Sequence, residues 1–184
     1  PRMFGARDRD LLAHLARLAE NEMRVSRLAI TDELTGLFNR RGFERVCNQV
    51  LETCRRTGRS AALLYFDLNG FKRINDTLGH ATGDMVLKVL ARVLRQRLRK
   101  SDVIGRYGGE EFSIILPDTD LKGGVAVSER LRKSISSRPI NAYGEKINIS
   151  VSVGIATFPG DSKEMKSLIE KADMALYKAK RSGR

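Results

Sequence analysis

The stretch AALLYFD, residues 61–67, decides the fold, because it is apolar up to its last residue and ends on a carboxylate. A short apolar run between polar segments is typical of a strand that is buried on both faces of a sheet. Asp67 then lies where a central strand meets open space, which is a favoured place for ligands. An Asp at a strand end is also a common turn residue, so Asp67 alone predicts no site.

Outward from this strand, apolar residues at helical spacing predict four helices, over about residues 43–54, 83–94, 127–135 and 168–179. Two short strands, 103–107 and 112–116, flank a double glycine as in a hairpin, and strict alternation predicts a half-buried strand over residues 147–155. This order of helices and strands predicts an α/β fold in the broad sense, that is, a mixed fold, and within it the α+β class. It matches a ferredoxin-like sandwich with a mainly antiparallel central sheet flanked by helices.

Residues 1–29 predict an N-terminal helical extension, because leucines recur there at helical spacing. A dimerising stalk and a terminal helix packed on its own domain both fit this pattern. Residues 31–43 predict a hinge, where Thr31 or Asp32 caps a turn, and residues 30–184 form the main domain. Because the chain begins at Pro1 instead of Met, we expect a longer parent protein with an upstream sensor domain or membrane spans.

Composition predicts a globular domain, since hydrophobic residues make up 41% and charged residues 30%. No apolar run approaches the roughly 20 residues of a membrane-spanning helix, so we expect a cytoplasmic domain, even where the parent is attached to a membrane. The net charge of +12 suits phosphate-rich partners, but an ordinary solvated basic surface fits it equally. Cys47 and Cys54, seven positions apart without further ligands nearby, predict two reduced, packed thiols.

The turn Gly108-Gly109-Glu110-Glu111 is the second candidate for chemistry. A double glycine permits positive φ and the close approach of a ligand, whereas two adjacent acids repel each other unless a cation neutralises them. If the two strands are neighbours, Asp67 and Glu110 meet. Together they predict an oxygen-ligand site for Mg²⁺, with Mn²⁺ as a substitute, completed by substrate phosphates.

Four ordered motifs carry a family resemblance: DELTGLFNRRGF (32–43), FDLNGFKRINDTLGHATGD (66–84), RYGGEEF (106–112) and ADMALYKAKRSGR (172–184). They resemble the GGDEF family of diguanylate cyclases, in a GGEEF variant of its signature. The resemblance implies a nucleotidyl-cyclase palm that condenses two GTP molecules into cyclic di-GMP. It also implies a homodimer, because each domain holds one GTP and two nucleotides must face each other.

The resemblance implies a role for each matching residue. The metal ligands are Asp67, Glu110 and the carbonyl of Leu68, and the catalytic acids are Glu110 and Glu111. Asn75 and Asp84 contact the guanine edge, whose N–H groups an ionised Asp accepts. The further substrate residues are Lys72, Lys180 and Arg184 for phosphates, His80 as a substrate-lining residue, Phe71 and Leu87 as pocket walls, and Gly108 and Gly109 in the turn.

Simpler roles fit several of these residues. Instead of contacting guanine, Asn75 and Asp84 could cap helices. Instead of binding phosphates, Lys180 and Arg184 could be ordinary charges at a helix C-terminus. His80 is equally well explained as a structural histidine. The chain also departs from the family at Asn69, where a second Asp is frequent, and this lowers the metal affinity that we expect.

Arg99-Lys100-Ser101-Asp102, with five residues between Asp102 and Gly108, resembles the RxxD inhibitory site of the family, where product binds. An Arg side chain binds phosphate or a guanine edge through two parallel hydrogen bonds, and Arg130 on the next helix adds a third contact.

Two other functions compete with the enzyme. One is a catalytically silent receptor for GTP or cyclic di-GMP; the other is a nucleic-acid-binding module, which we exclude because no aromatic stacking platform accompanies the basic charge.

Overall fold

The computed structural model describes residues 13, 14, 16, 17, 30–137 and 139–181. Its helices are α1 (Arg40–Thr57), α2 (Phe71–Leu78), α3 (His80–Arg97), α4 (Leu121–Ser136) and α5 (Met165–Arg181). Its strands are β1 (Ala61–Leu68), β2 (Val103–Arg106), β3 (Glu111–Pro117), β4 (Ile140–Ala142), β5 (Glu145–Ile147) and β6 (Val151–Phe158). Most of the predicted N-terminal helix lies outside the described residues, although residues 13, 14, 16 and 17 are helical and exposed.

The central sheet has four strands in the order β2-β3-β1-β6, and every neighbouring pair is antiparallel. This is the order of a ferredoxin-like sandwich, so the predicted fold class is confirmed. A separate hairpin, β4-β5, precedes the last strand. Among the described residues, no helix combines the length and the apolar character that crossing a bilayer requires.

The burial of β1 explains why its sequence is continuously apolar. All eight of its residues are buried, because helices cover both faces of the sheet. Alternate side chains enter two cores: Leu64 and Phe66 pack with α3 and α4, whereas Leu63 and Tyr65 pack with α1 and α5. Fully burying one such apolar side chain contributes about 1.5–3 kcal/mol, so β1 is the central support of the domain.

The single strand predicted over residues 147–155 is wrong. Ile147 pairs with Ile140 in the β4-β5 hairpin, and β6 begins only at Val151 and continues to Phe158. The alternation of buried residues continues between β5 and β6, because Ile149, which belongs to neither strand, is also buried. The strand is also more than half-buried, because α5 covers one face of β6 and α4 the other.

The predicted start of the second helix is also wrong. The predicted helix, 83–94, lies within α3, and Gly79, with φ 82°, separates α3 from the preceding helix α2. Helix α3 therefore begins at His80, which places Gly83 and Asp84 inside the helix. The first helix starts earlier than predicted because the Asn39 side chain caps it by accepting from the Gly42 N–H.

Candidate active site

The sheet brings three acids together at one end of β1. In the β1–β3 ladder Asp67 is the partner of Glu111, and the Leu68 N–H donates to the Glu110 carbonyl at 3.3 Å. Asp67 is buried, with 6% of its surface exposed. Because β1 and β3 are neighbours, residues that are more than forty positions apart in the chain share one edge of the sheet.

The acids repel each other, and a lysine partly compensates for this repulsion. Burial raises the pKa of Glu110, the charge of Asp67 raises it further, and Lys180 opposes the shift. Lys180 extends from the last turn of α5, and its Nζ lies 2.7 Å from Asp67 Oδ1. Lys180 is thus more than an ordinary charge at a helix end. The edge concentrates negative charge that a cation would stabilise.

The donor set fits a divalent cation such as Mg²⁺, which binds through one or two carboxylates and takes substrate phosphates and water as its other ligands. Asp67 and Glu110 supply the carboxylates, and Leu68 lies beside them. Among the described residues, no three His, Cys, Asp or Glu side chains are grouped closely enough to hold a metal by themselves. A cation here would therefore depend on substrate oxygens to complete its ligands.

The two signature glycines adopt no positive φ, contrary to the expectation from their sequence. Gly108 is instead approached closely by a side chain, because its ideal Cβ position lies 2.4 Å from Glu111 Oε2. Gly109 is exposed, with no atom within 4 Å of its ideal Cβ position. The double glycine thus lets the Glu111 carboxylate approach the turn closely and leaves the tip of the turn open.

A second group of residues lies between α2 and α3. The ideal Cβ position of Gly83 lies 1.9 Å from Asn75 Oδ1 and 3.2 Å from Phe71 Cζ, so the missing side chain of residue 83 leaves room for those two side chains against α3. Asn75 Oδ1 is buried and has no hydrogen-bond partner among the described residues. Leaving such an atom unsatisfied costs roughly 1–3 kcal/mol, so a ligand or a water molecule is expected to bond with it.

The capping alternative for Asn75 and Asp84 is wrong. The N-cap residues are Gly70 and Gly79, and both polar residues lie inside their helices. Asp84 and His80 are exposed in the first turns of α3, on the same side of the helix because they are four residues apart. Leu87 is buried in the core behind them.

The predicted phosphate contacts divide between α2 and α5. Lys72 is exposed in the first turn of α2. The helix follows Gly70, whose φ of 71° turns the chain sharply from β1 into the helix. Such helix N-termini present free N–H groups to anions. Lys180 lies at the acidic edge, as described above, whereas Arg184 lies outside the described residues.

Arg106 holds the signature turn, a role that the sequence reasoning did not assign. Its Nε and Nη2 donate to the Gly109 carbonyl at 3.1 Å and 2.8 Å, and its Nη1 lies 3.1 Å from Asp32 Oδ2. Asp32 in turn accepts from the Thr35 N–H and hydroxyl. Both charged residues lie within the quoted motifs, but nothing in the sequence pairs two positions that are 74 residues apart.

The environment of Asp32 favours its charged form. Burial opposes ionisation, but the hydrogen bonds from Thr35 and the charge of Arg106 outweigh burial and hold the pKa of Asp32 below its usual value. Asp32 caps its turn as predicted. This ion pair connects the segment before α1 with the β2–β3 turn, and hence the hinge with the acidic edge.

Asn69 turns toward β6 and not toward the acids. Its Nδ2 donates to Ser150 Oγ at 3.0 Å, and its Oδ1 accepts from Ser152 Oγ at 2.8 Å. The amide thus ties the end of β1 to the start of β6. The missing second Asp leaves the carboxylates of Asp67 and Glu110 in place, because residue 69 belongs to a different set of hydrogen bonds.

The Arg99–Asp102 segment forms its own turn between α3 and β2. The Arg99 N–H donates to Asp102 Oδ2 at 2.8 Å, and the Asp102 N–H donates to the Arg99 carbonyl at 3.1 Å. Both residues line an open cavity of about 360 Å³, together with Arg95 and Lys100. Arg130 lies close by, since its Nη2 donates to the Arg97 carbonyl at 3.2 Å. Arg99 and Asp102 therefore line one cavity, and Arg130 bonds with the backbone two residues before Arg99.

Known proteins resemble the chain over this whole domain. Residues 29–184 match the family described as "Diguanylate cyclase, GGDEF domain". Diguanylate cyclase DgcP of Pseudomonas aeruginosa is 46% identical over 156 residues, which cover 85% of this chain and 23% of that protein. Diguanylate cyclase A of Treponema denticola is 38% identical over 176 residues, which cover 94% of this chain and 47% of that protein.

Solved structures agree with these matches. The coiled coil and GGDEF domain of DgcB from Caulobacter crescentus, in complex with c-di-GMP, superposes with a TM-score of 0.88 at 36% identity, over 97% of this chain and 95% of that one. The chain spans less than half the length of the two curated relatives. From the family match and these identities, the chain belongs to the GGDEF domain family.

Proposed function

We propose that this domain is a diguanylate cyclase, which condenses two GTP molecules into cyclic di-GMP and pyrophosphate. The observation that carries the proposal is the cluster of Asp67, Glu110 and Glu111 at one sheet edge, beside Lys180. Two relatives bear the name diguanylate cyclase and retain 46% and 38% identity. Because the chain spans only part of those proteins, the activity of the whole parent protein is also a proposal.

The chain's own residues bind and orient the nucleotide. The buried Asn75 amide oxygen, which lacks a partner among the described residues, accepts from the guanine base, and the exposed Asp84 accepts the ring N–H and amine of guanine. Adenine does not offer that donor pair, so GTP is preferred over ATP. Phe71 and Leu87 form the apolar wall, and His80 lines the ribose side.

The triphosphate lies between α2 and α5. Lys72, the N–H groups at the start of α2, and Lys180 bind its oxygens, and Arg184 extends the same set. Gly108 and Gly109 allow the phosphates to approach the turn. Asp67, Glu110 and the Leu68 carbonyl would hold Mg²⁺, or Mn²⁺ in its place, and the bound cation would supply polarisation of the α-phosphate and a lower pKa of the attacking 3′-hydroxyl.

One domain holds one GTP, so turnover requires two domains that face each other with antiparallel nucleotides. Glu111, the third acid of the edge, either removes the proton of the attacking hydroxyl or supports the metal. The upstream segment, residues 1–29, sets how the two domains meet in response to a sensor domain of the parent. The reaction uses cytoplasmic GTP, and the product inhibits it at Arg99, Asp102 and Arg130.

Incubation of the full chain with GTP and Mg²⁺, followed by chromatography for cyclic di-GMP, tests the proposal. We expect product from the wild type and none from Glu110→Ala. The matched control is Glu145→Ala, since Glu145 is an exposed acid on β5. A wild type that binds cyclic di-GMP but makes none would contradict the enzyme and favour the silent receptor.

A further inference from the structure

Tyr107 joins the signature turn to helix α1. Its hydroxyl donates to Glu44 Oε1 at 2.6 Å, although the two residues are 63 positions apart in the chain. Its backbone N–H donates to the Glu111 carbonyl at 2.8 Å, which closes the turn that carries Glu110 and Glu111. One residue thus contacts α1 through its side chain and the third acid of the edge through its backbone.

Three side chains surround the ring of Tyr107. Phe43 on α1 and Tyr65 on β1 pack edge-to-face with it, at ring-centroid distances of 6.4 Å and 5.5 Å. The Arg40 guanidinium lies over the ring, 4.8 Å from its centroid. Gly105 on β2 leaves room for Phe43 here, because its ideal Cβ position lies 2.7 Å from Phe43 Cβ. The phenol ring is therefore held in one orientation.

Glu44 is in turn held in place to accept this hydrogen bond. It lies four residues after Arg40 on α1, and Arg40 Nε donates to the same carboxylate oxygen at 3.0 Å. The hydrogen bond from Tyr107 and the charge of Arg40 outweigh burial and hold the pKa of Glu44 below its usual value. The carboxylate is therefore ionised at neutral pH, and a hydrogen bond to an ionised acceptor is about twice as strong as a neutral one.

The signature turn is thus attached to the domain on both faces of the sheet. Arg106 ends β2, and its ladder partner Phe112 belongs to the core under α3 and α4, whereas Tyr107 packs in the core under α1 and α5. Arg106 bonds with Asp32 before α1, and Tyr107 bonds with Glu44 on α1. Arg106 holds the tip of the turn, and Tyr107 holds its base.

The geometry points to Glu44 as a positioning residue, which through Tyr107 fixes the base of the signature turn and so the placement of Glu110 and Glu111. The inference rests on the proposed function, because it assigns a role within that reaction. Glu44 does not belong to the acidic edge and acts only through Tyr107. Misplacing a catalytic group by about 1 Å can cost about 100-fold in rate, so a loosened turn should slow the chemical step.

Turnover of the full chain tests this role. Tyr107→Phe and Glu44→Ala each remove the hydrogen bond. We expect each to lower kcat about tenfold with KM for GTP within about twofold, because the proposed nucleotide contacts lie mainly on α2, α3 and α5. Glu44→Gln keeps a side-chain oxygen that accepts from Tyr107, so its kcat should stay within about threefold of the wild type. A merely structural contribution would not separate kcat from KM in this way.

Matched controls come from the same residue types. Glu52→Ala removes an acid of α1 that pairs with Arg55, and Tyr143→Phe removes the hydroxyl of an exposed tyrosine between β4 and β5. Both variants should match the wild type. An active wild type whose kcat equals that of Tyr107→Phe or Glu44→Ala would overturn the inference.

The double variant, which combines Glu44→Ala with Tyr107→Phe, shows whether the two residues act through one contact. Its kcat should be about equal to that of either single variant, because the same hydrogen bond can be lost only once. A kcat that falls by the product of the two single losses would mean two separate routes, and it would refute the link from Glu44 through Tyr107.

Urea unfolding of the wild type, the two single variants and the double variant tests the contact independently of activity. The unfolding constant of the double variant should be about fivefold smaller than the product of the two single effects predicts. Additive effects would refute the hydrogen bond. A wild type that makes no cyclic di-GMP would defeat the proposed function and this role with it, whereas an unchanged kcat in active variants defeats this role alone.

Discussion

The acidic edge and the Arg99–Asp102 turn both present charged groups at the surface, but they are built in different ways. At the edge, Asp67 comes from β1, Glu110 from the β2–β3 turn and Lys180 from α5. In the Arg99–Asp102 turn, the hydrogen bonds join residues only three positions apart. The Asp67 side chain is 9% exposed, whereas Arg99 is exposed in an open cavity.

This difference determines how substitutions affect each region. Three distant segments reach the acidic edge only through strand register and helix packing, and burial holds their like charges close together. The turn forms from its own four residues and needs little from the rest of the domain. Changes at the edge should therefore affect chemistry and stability in opposite directions, while changes at the turn should affect a binding property alone.

The largest effect is expected from Glu110→Gln. We expect turnover to fall by at least about 100-fold, because a charged group that acts in the transition state is lost. The thermal midpoint in EDTA should rise, because the raised pKa of Glu110 means that its charge destabilises the folded state. Calorimetry measures this gain, which should vanish at acid pH, where Glu110 is protonated. A lower midpoint at neutral pH would contradict the repulsion, and Glu145→Gln is the control.

The second effect, at the other region, is expected from Arg99→Ala. The concentration of cyclic di-GMP that halves the initial rate should rise about tenfold or more, because a bidentate, charge-assisted contact is removed. Arg132→Ala is the matched control, since Arg132 pairs with Glu129 on the exposed face of α4. Inhibition curves that coincide for the two variants would remove the Arg99–Asp102 turn as a product site.

A smaller effect is expected from Asp32→Asn, which breaks the pair with Arg106. We expect a loss of about 1–2 kcal/mol in the free energy of unfolding at pH 7. The pKa of Asp32 is lowered in the folded state, so this stabilisation is complete above the unfolded pKa of about 3.9 and disappears as the pH falls through the lower folded value. Urea unfolding between pH 7 and pH 3 measures the difference.

The control for Asp32 is Asp118→Asn, because the Arg59–Asp118 pair is exposed and should contribute at most about 0.5 kcal/mol. A difference between wild type and Asp32→Asn that stays constant down to pH 3 would show that the pair is not ionic. Equal losses of unfolding free energy in the two variants would show that the connection of Asp32 to the signature turn adds nothing to stability.

The smallest effect is expected from Asn69→Asp, which restores the more frequent family residue. Ser150 and Ser152 both carry hydroxyls that donate to a carboxylate, so residue 69 should remain bonded to them. We expect turnover within about twofold and stability within about 0.5 kcal/mol of the wild type. A large gain in Mg²⁺-dependent turnover would show that residue 69 belongs to the acidic edge after all.

Local patterns predicted most of the fold. The β1 run and the β2–β3 hairpin were assigned correctly, because burial on both faces and a double glycine leave clear signals in adjacent residues. Helix α2 and the β4-β5 hairpin were missed, because each is short and lacks a repeating apolar pattern. The 147–155 prediction failed since alternation does not mark where one strand ends and the next begins.

The amino-acid sequence by itself determined the family, the acids and the buried central strand, because these are properties of residue type and spacing. Only the tertiary structure decided the register that places Asp67 beside Glu111, and the Arg106–Asp32 pair. It also decided that Asn75 lies inside a helix, against Gly83. The physical reason is that each of these contacts joins separate segments, and their approach depends on how the whole core packs.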